Sequence, residues 1–111
     1  MTITKTTQIG ILLDLIHDHW FDAESIRHPL RVRTRREGER FWPLGLSGPK
    51  RFKEVLIEDK IPQQDRETLP LVVDQEGILW LAGSRISERV KLRGETKKAL
   101  KVEFSPRTKR E

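Results

Sequence analysis

The chain has 111 residues, 35% hydrophobic and 35% charged, with a formal net charge of +5 at pH 7 and no cysteine. That length suits one ordinary hydrophobic core rather than a multidomain enzyme, and the missing cysteines exclude disulfide scaffolds, thiolate zinc sites and cysteine nucleophiles. The longest run without a charge is nine residues, Phe41 to Pro49, far below the ~20 that cross a bilayer, so the expected setting is cytoplasmic, with no membrane partner.

In chain order, Ile9, Leu12, Leu13 and Ile16 fall at helical spacing behind Thr6 or Thr7 as a cap. The spacing predicts an amphipathic helix over residues 7–16, within an N-terminal helical extension of residues 1–20. Its apolar stripe either covers the domain's own core or docks on a partner. From His28 the pattern becomes alternation, with Leu30, Val32 and Thr34 on one face and Arg31, Arg33 and Arg35 on the other. This predicts a strand whose guanidiniums repeat every ~6.6 Å, suited to successive backbone phosphates. Glu37-Gly38-Glu39 reads as a turn, and Pro43 to Gly48 as a loop. Pro49 suits the first position of a helix capped by Ser47 or Gly48, with Phe52, Val55 and Leu56 facing inward. Lys50, Arg51 and Lys53 would then stand at a helix start, where free N–H groups also favour a phosphate.

Pro62 opens a helical turn through Glu67, ended by Pro70. Leu71 to Val73 and Ile78 to Leu81 predict a hairpin turning through Asp74-Gln75-Glu76-Gly77. Gly83 reads as a bulge or break, and Ile86, Val90 and Leu92 as inward positions between Arg85, Arg89 and Lys91. Residues 94–98 read as a link forming one helical turn, Leu100, Val102 and Phe104 alternate in a last strand, and residues 105–111 read as a flexible basic tail.

Charge is unevenly spread along these elements. Residues 1–26 carry −3, residues 27–53 carry +7, residues 54–84 carry −5 and residues 85–111 carry +6. Two basic blocks flanking an acidic one form a stripe for a polyanion if they converge, and a solvated surface of local ion pairs if they do not. Trp20, Trp42 and Trp80 read mainly as core, with Trp42, close to Arg40, the candidate for stacking on a base.

Catalytic patterns are missing from the sequence. His17 and His19 are two apart and His28 is remote, which is not metal-ligand spacing on a helix. The Gly45 to Lys50 loop has neither a P-loop nor a dinucleotide fingerprint, and Glu58 and Asp59 read as solvated carboxylates. The expectation is a chain that is not an enzyme on its own, with no cofactor and no metal.

Ordered blocks from Phe21 to Phe104 resemble a known family. Arg33, Arg35, Arg36, Gly38, Glu39 and Arg40, with Pro43 and Gly45 after them, are similar to its Arg-x-Arg-Arg-x-Gly-Asp-Arg and Pro-x-Gly pattern, with Glu39 replacing Asp. Gly48, Lys50, Lys60, Ile61, Pro62, Arg66, Leu69, Pro70 and Leu71 continue it, and so do Ile78, Trp80, Gly83, Arg85, Ile86 and Glu88. These blocks resemble the C-terminal substrate-recognition domain of tRNA(Ile)-lysidine synthetase. The family's Ser-Gly-Gly-x-Asp-Ser nucleotide loop does not occur in these residues.

The resemblance implies an α+β fold: a small compact domain over residues 21–104 with a mixed or antiparallel β-sandwich core and two or three short helices. It is related to a domain of the phenylalanyl-tRNA synthetase β chain. It also implies a free-standing tRNA-binding module that holds the acceptor stem. A separate ATP-pyrophosphatase catalytic domain, using ATP, Mg and lysine, would modify the wobble cytidine. Arg33, Arg35, Arg36, Arg40, Lys50 and Arg51 are the expected phosphate contacts, with Arg31 and Lys53 in the same basic block. Arg66, Arg85 and Arg89 are second candidates, and Arg85 and Arg89 serve equally well as ion-pair partners of Glu88 or of the acidic block. The alternatives are a protein-interaction subunit or adapter of a split tRNA-modifying enzyme, a generic RNA-binding module, or a remnant without function.

Overall fold

The structure is a computed structural model that describes residues 3–11, 17–81 and 84–106. Where the length suggests one core, the chain divides into two compact units. One is built from the two chain ends, up to Ile26 and from Val90 onward, and the other is Arg27–Arg89.

The terminal unit is a three-stranded sheet in the order β1-β8-β2, from β1 (Ile3–Ile11), β2 (His17–Asp22) and β8 (Lys98–Pro106). Central β8 runs parallel to β1, in register from Ile3 opposite Lys98 to Ile11 opposite Pro106. It runs antiparallel to β2, from His17 opposite Phe104 to Asp22 opposite Ala99. The helix expected over residues 7–16 is therefore corrected: residues up to Ile11 are strand, and Leu12 to Ile16 lie outside the described residues. Ile3, Thr4, Thr6, Thr7, Ile9 and Ile11 are β-branched, stiff at χ1 and better packed on a pleated sheet, and this outweighs the coincidental helical spacing.

Phe21, Ile26, Val90, Ala99, Leu100 and Val102 of this unit are buried. The Asp22 carboxylate caps the 3-10 turn Ala23–Ser25, accepting hydrogen bonds from the Glu24 N–H at 3.2 Å and the Ser25 hydroxyl at 3.1 Å. Leu92, expected inward, is exposed. The link before β8 is a turn and not a helix: the Arg93 N–H donates to the Thr96 hydroxyl at 2.7 Å, and the Thr96 N–H to the Arg93 carbonyl at 3.1 Å. The expected tail begins later than residue 105, since Ser105 and Pro106 belong to β8, and residues 107–111 lie outside the described residues.

The central unit holds an antiparallel sheet in the order β3-β6-β7, formed by β3 (Arg31–Arg33), β6 (Leu71–Asp74) and β7 (Gly77–Leu81). The hairpin forms where the alternation predicts it, and Gly77 turns it with a φ of 136°, a conformation that favours glycine. A second ladder pairs β4 (Arg40–Phe41) with β5 (Lys50–Arg51), and β5 runs straight into the helix α1 (Phe52–Glu58). Phe41, Phe52, Val55, Leu56, Leu71, Val73, Ile78 and Leu81 make the core, with the Phe41 and Phe52 rings edge to face at 5.9 Å. The apolar face of α1 is the one the spacing predicts, but the helix starts at Phe52 and not Pro49. Pairing with β4 holds Lys50 and Arg51 extended, and the Phe52 N–H donates to the Glu39 carbonyl at 2.9 Å. The short helical segment after Pro62 is a 3-10 turn, Gln63–Asp65. Gly83 lies outside the described residues. The result is an α+β fold with antiparallel pairing and, among the described residues, one α-helix.

Asp74 closes the β6–β7 hairpin against the start of the unit. One carboxylate oxygen accepts the Arg27 N–H at 2.9 Å, and the other accepts the Arg89 guanidinium at 2.7 Å and the Glu76 N–H at 2.9 Å. Burial pushes the carboxyl pKa up, but the Arg89 hydrogen bond, the two backbone donors and the Arg89 charge outweigh it and hold it below the ordinary 3.8. A depressed carboxyl contributes stability that is complete above its unfolded value and is lost as pH falls through the lower folded value. Thermal melts from pH 6 to pH 2 should show this acid-side loss. Asp74→Asn should cost about 3 kcal/mol at neutral pH by leaving the half-buried Arg89 only its longer contact to Glu76, and should flatten the profile below pH 4.

Candidate nucleic-acid interface

The β4–β5 ladder sets Arg40 directly opposite Arg51, and both side chains are exposed. Like charges placed opposite each other destabilise an isolated ladder, and among the described residues no carboxylate pairs with either. Lys53 follows on the exposed side of α1, and Arg36 stands exposed in the turn before β4. Together with Arg35, these four side chains line an open groove of about 690 Å³ whose lining also includes Phe52 and the carboxylates Glu37, Glu39 and Glu67.

Two of those carboxylates are already engaged. Both terminal guanidinium nitrogens of Arg33 donate to Glu39, one at 3.1 Å to Oε1 and the other to Oε2, and the Arg36 N–H donates to Oε1 at 2.9 Å. Burial pushes the Glu39 carboxyl up, but the Arg33 hydrogen bond, the Arg36 amide and the charges of Arg33 and Arg36 hold it below its ordinary value. Glu67 accepts Arg35 through Nε at 3.2 Å and a terminal nitrogen at 2.6 Å. The expected row of three equivalent guanidiniums is thus not realised. β3 is only three residues long, Arg31 is exposed, Arg33 is turned into Glu39 and Arg35 is shared with Glu67.

The remaining candidates are tied within the fold. Lys50 pairs with Glu58, so it does not stand at an open helix start; α1 begins two residues later, with Glu54 in its first turn. Arg85 donates to Asp59 at 2.7 and 3.0 Å and lies 3.6 Å from Glu58, while Asp59 also accepts the Ser84 hydroxyl at 2.8 Å. Arg89 pairs with Asp74 and lies 3.7 Å from Glu76. Arg66 donates Nε to the Ile61 carbonyl at 2.9 Å. Of the two roles open to Arg85 and Arg89, the structure shows pairing with the acidic block. Glu58 and Asp59 are cation partners and not merely solvated carboxylates. The sequence does carry a trace of this: an acidic block directly follows the basic one, though not in a pattern that tells which cation each acid takes.

The loop joining β4 to β5 is fastened at several points. The Leu44 N–H donates to the Ile86 carbonyl at 3.1 Å, the Gly45 N–H to Glu88 at 2.8 Å, and the Trp42 indole N–H to the Leu46 carbonyl at 2.6 Å. Trp42 is half-buried with its polar edge used in this way, and Trp80 is core. The exposed tryptophan is instead Trp20 on β2, 36% accessible, with the Lys101 ammonium 6.0 Å from its ring centroid. Among the described residues no three His, Asp or Glu side chains cluster as metal ligands, and no helix is long and apolar enough to cross a membrane.

Comparison with known proteins agrees with this architecture. The family model for the TilS substrate C-terminal domain matches residues 30–103. A tRNA(Ile)-lysidine synthase from Caldanaerobacter subterraneus subsp. tengcongensis is 40% identical over 86 residues, covering 78% of this chain and 18% of that protein. One from Dehalococcoides mccartyi is 42% identical over 85 residues, covering 77% and 18%. The chain therefore spans under a fifth of the length of these curated relatives. A crystal structure of a TilS C-terminal domain superposes with a TM-score of 0.66 at 37% identity, over 83% of this chain and 72% of that one. An N-terminal fragment of the phenylalanyl-tRNA synthetase β-subunit from Pyrococcus horikoshii shares the fold, with a TM-score of 0.65 at 23% identity over 80% of this chain and 28% of that one. With two thirds of its length matched by the model, and with fold and sequence in accord, the chain belongs to the TilS substrate C-terminal domain family.

Proposed function

We propose that the chain is a tRNA-recognition module that grips backbone phosphates with Arg36, Arg40, Arg51 and Lys53. The observation that carries this is the Arg40–Arg51 cross-strand pair, which has no carboxylate partner among the described residues although Arg33, Arg35, Lys50, Arg85 and Arg89 of the same unit each have one. A phosphate between the two guanidiniums replaces their repulsion with charge-assisted hydrogen bonds, so binding relieves a cost built into the ladder. Family membership supports tRNA as the polyanion. In this reading the RNA segment is the acceptor stem, and the setting is the cytoplasm. A separate ATP-pyrophosphatase domain supplies the chemistry on the wobble cytidine with ATP, magnesium and lysine. The chain itself contributes affinity and register, and no cofactor. The rival in which an N-terminal helix docks a catalytic partner loses the first part of its element, because residues up to Ile11 are strand.

Four phosphate contacts on a duplex stem give a slope of log K against log salt of about −3.6. Gel-shift titrations with purified tRNA at several salt concentrations should return that slope. The double reversal R40E/R51E should reduce its magnitude by about 2 and weaken binding to all tRNAs alike. A slope near zero for the unmodified chain would remove the reading. Glu58→Gln releases Lys50 and part of Arg85 from an intramolecular carboxylate, and should tighten binding severalfold while steepening the slope by up to about 1. Incubated alone with ATP, lysine and tRNA, the chain should release no pyrophosphate above a no-protein control.

A further inference from the structure

Glu39 lies inside the most basic segment of the chain, where its charge should repel the very ligand that Arg36 and Arg40 would attract. Its carboxylate is nevertheless the most heavily used polar group of the groove. The side chain is 12% accessible and that of its partner Arg33 is 20%. Both terminal guanidinium nitrogens of Arg33 and the Arg36 N–H converge on it. Its main chain is equally committed: the Glu39 N–H donates to the Arg36 carbonyl at 3.3 Å, and the Glu39 carbonyl accepts the Phe52 N–H at 2.9 Å. One residue thus joins the end of β3, the turn of residues 36–39 and the first residue of α1.

The turn needs such a joint. It contains Gly38 at a φ of 79°, and Arg36, Glu37 and Gly38 are all exposed to solvent. Fixing the backbone of each residue costs about 1–2 kcal/mol of conformational entropy. If that cost fell at the moment of binding, it would be subtracted from affinity. A carboxylate that orders the turn beforehand removes the subtraction, and its own charge is cancelled locally by Arg33.

We infer that Glu39 is a positioning residue for phosphate binding: through Arg33 and the Arg36 amide it fixes the turn that aims Arg36 and Arg40 into the groove lined by Arg51 and Lys53. The inference rests on the RNA-binding reading above.

The test compares two substitutions that each delete one negative charge from the central unit, one at a residue lining the groove and one at Glu58, which pairs with Lys50 and Arg85 outside that lining. If only overall charge matters, Glu39→Gln and Glu58→Gln both tighten tRNA binding. Positioning instead makes Glu39→Gln weaken it about tenfold, with a shallower salt slope, while Glu58→Gln tightens it. Glu39→Asp should restore most of the affinity. Hydrogen exchange on the free chain should show the Arg36 and Phe52 amides losing protection in Glu39→Gln while β6 and β7 keep theirs. If Glu39→Gln does not fold, Arg33→Lys decides the matter: it keeps the net charge but loses the planar fork. It should weaken binding severalfold with the same loss of amide protection. Affinity and protection unchanged in the folded Glu39→Gln chain, or in Arg33→Lys, overturn the inference while leaving RNA binding intact. Failure of the unmodified chain to bind tRNA at all removes both.

Discussion

The edge-to-face contact of Phe41 and Phe52 determines where the charges of the central unit can go. Side chains alternate along a strand, so burying Phe41 turns Arg40 outward; burying Phe52, the first residue of α1, does the same for Arg51 just before it. The ladder then sets the two arginines opposite each other whether or not electrostatics favours it. Hydrophobic burial of two phenylalanines is worth several times the repulsion between two solvated guanidiniums, so packing wins. The unfavourable pair is in this sense held in place by the core beneath it.

Around that pair the unit compensates several of its other cations by pairing. Arg33 goes to Glu39, Arg35 to Glu67, Lys50 to Glu58, Arg85 to Asp59 and Arg89 to Asp74. A basic segment whose formal charge is large therefore presents a much smaller set of uncompensated cations, concentrated on one groove. Exposed pairs such as Lys50–Glu58 add little to stability. Their main effect is on the field outside the molecule, because each removes one cation from competition with the groove.

Much of this architecture is written locally in the sequence. The β6–β7 hairpin, its Gly77 turn, the inward face of Phe52, Val55 and Leu56, and the alternation of Leu100 and Val102 follow from periodicity and turn chemistry. The larger failures come from strand or ion pairing that periodicity does not encode. Ile9 and Ile11 satisfy a helical and an extended pattern alike until β8, some ninety residues later, supplies the hydrogen bonds. Lys50 and Arg51 look like a helix start until β4 claims them as a strand. The basic segment is legible as a phosphate-binding stretch, but which of its arginines stay uncompensated depends on Glu67 and on how the turn folds Glu39 back onto Arg33. Single-sequence pattern carries no information about such pairings.

The sheet of the terminal unit has a kinetic consequence. Its middle strand is the last of the three to be synthesised, while both neighbours precede Ala23, with the whole Arg27–Arg89 segment between them. Loop-closure entropy grows only logarithmically with the length enclosed, so the long insertion costs little at equilibrium. The delay is another matter: β1 and β2 are not neighbours in the sheet, so neither has a strand to pair with until β8 exists. On a ribosome, the β-branched strand β1 and the shorter strand β2 would both wait unpaired while the central unit is made, exposed to association with other chains.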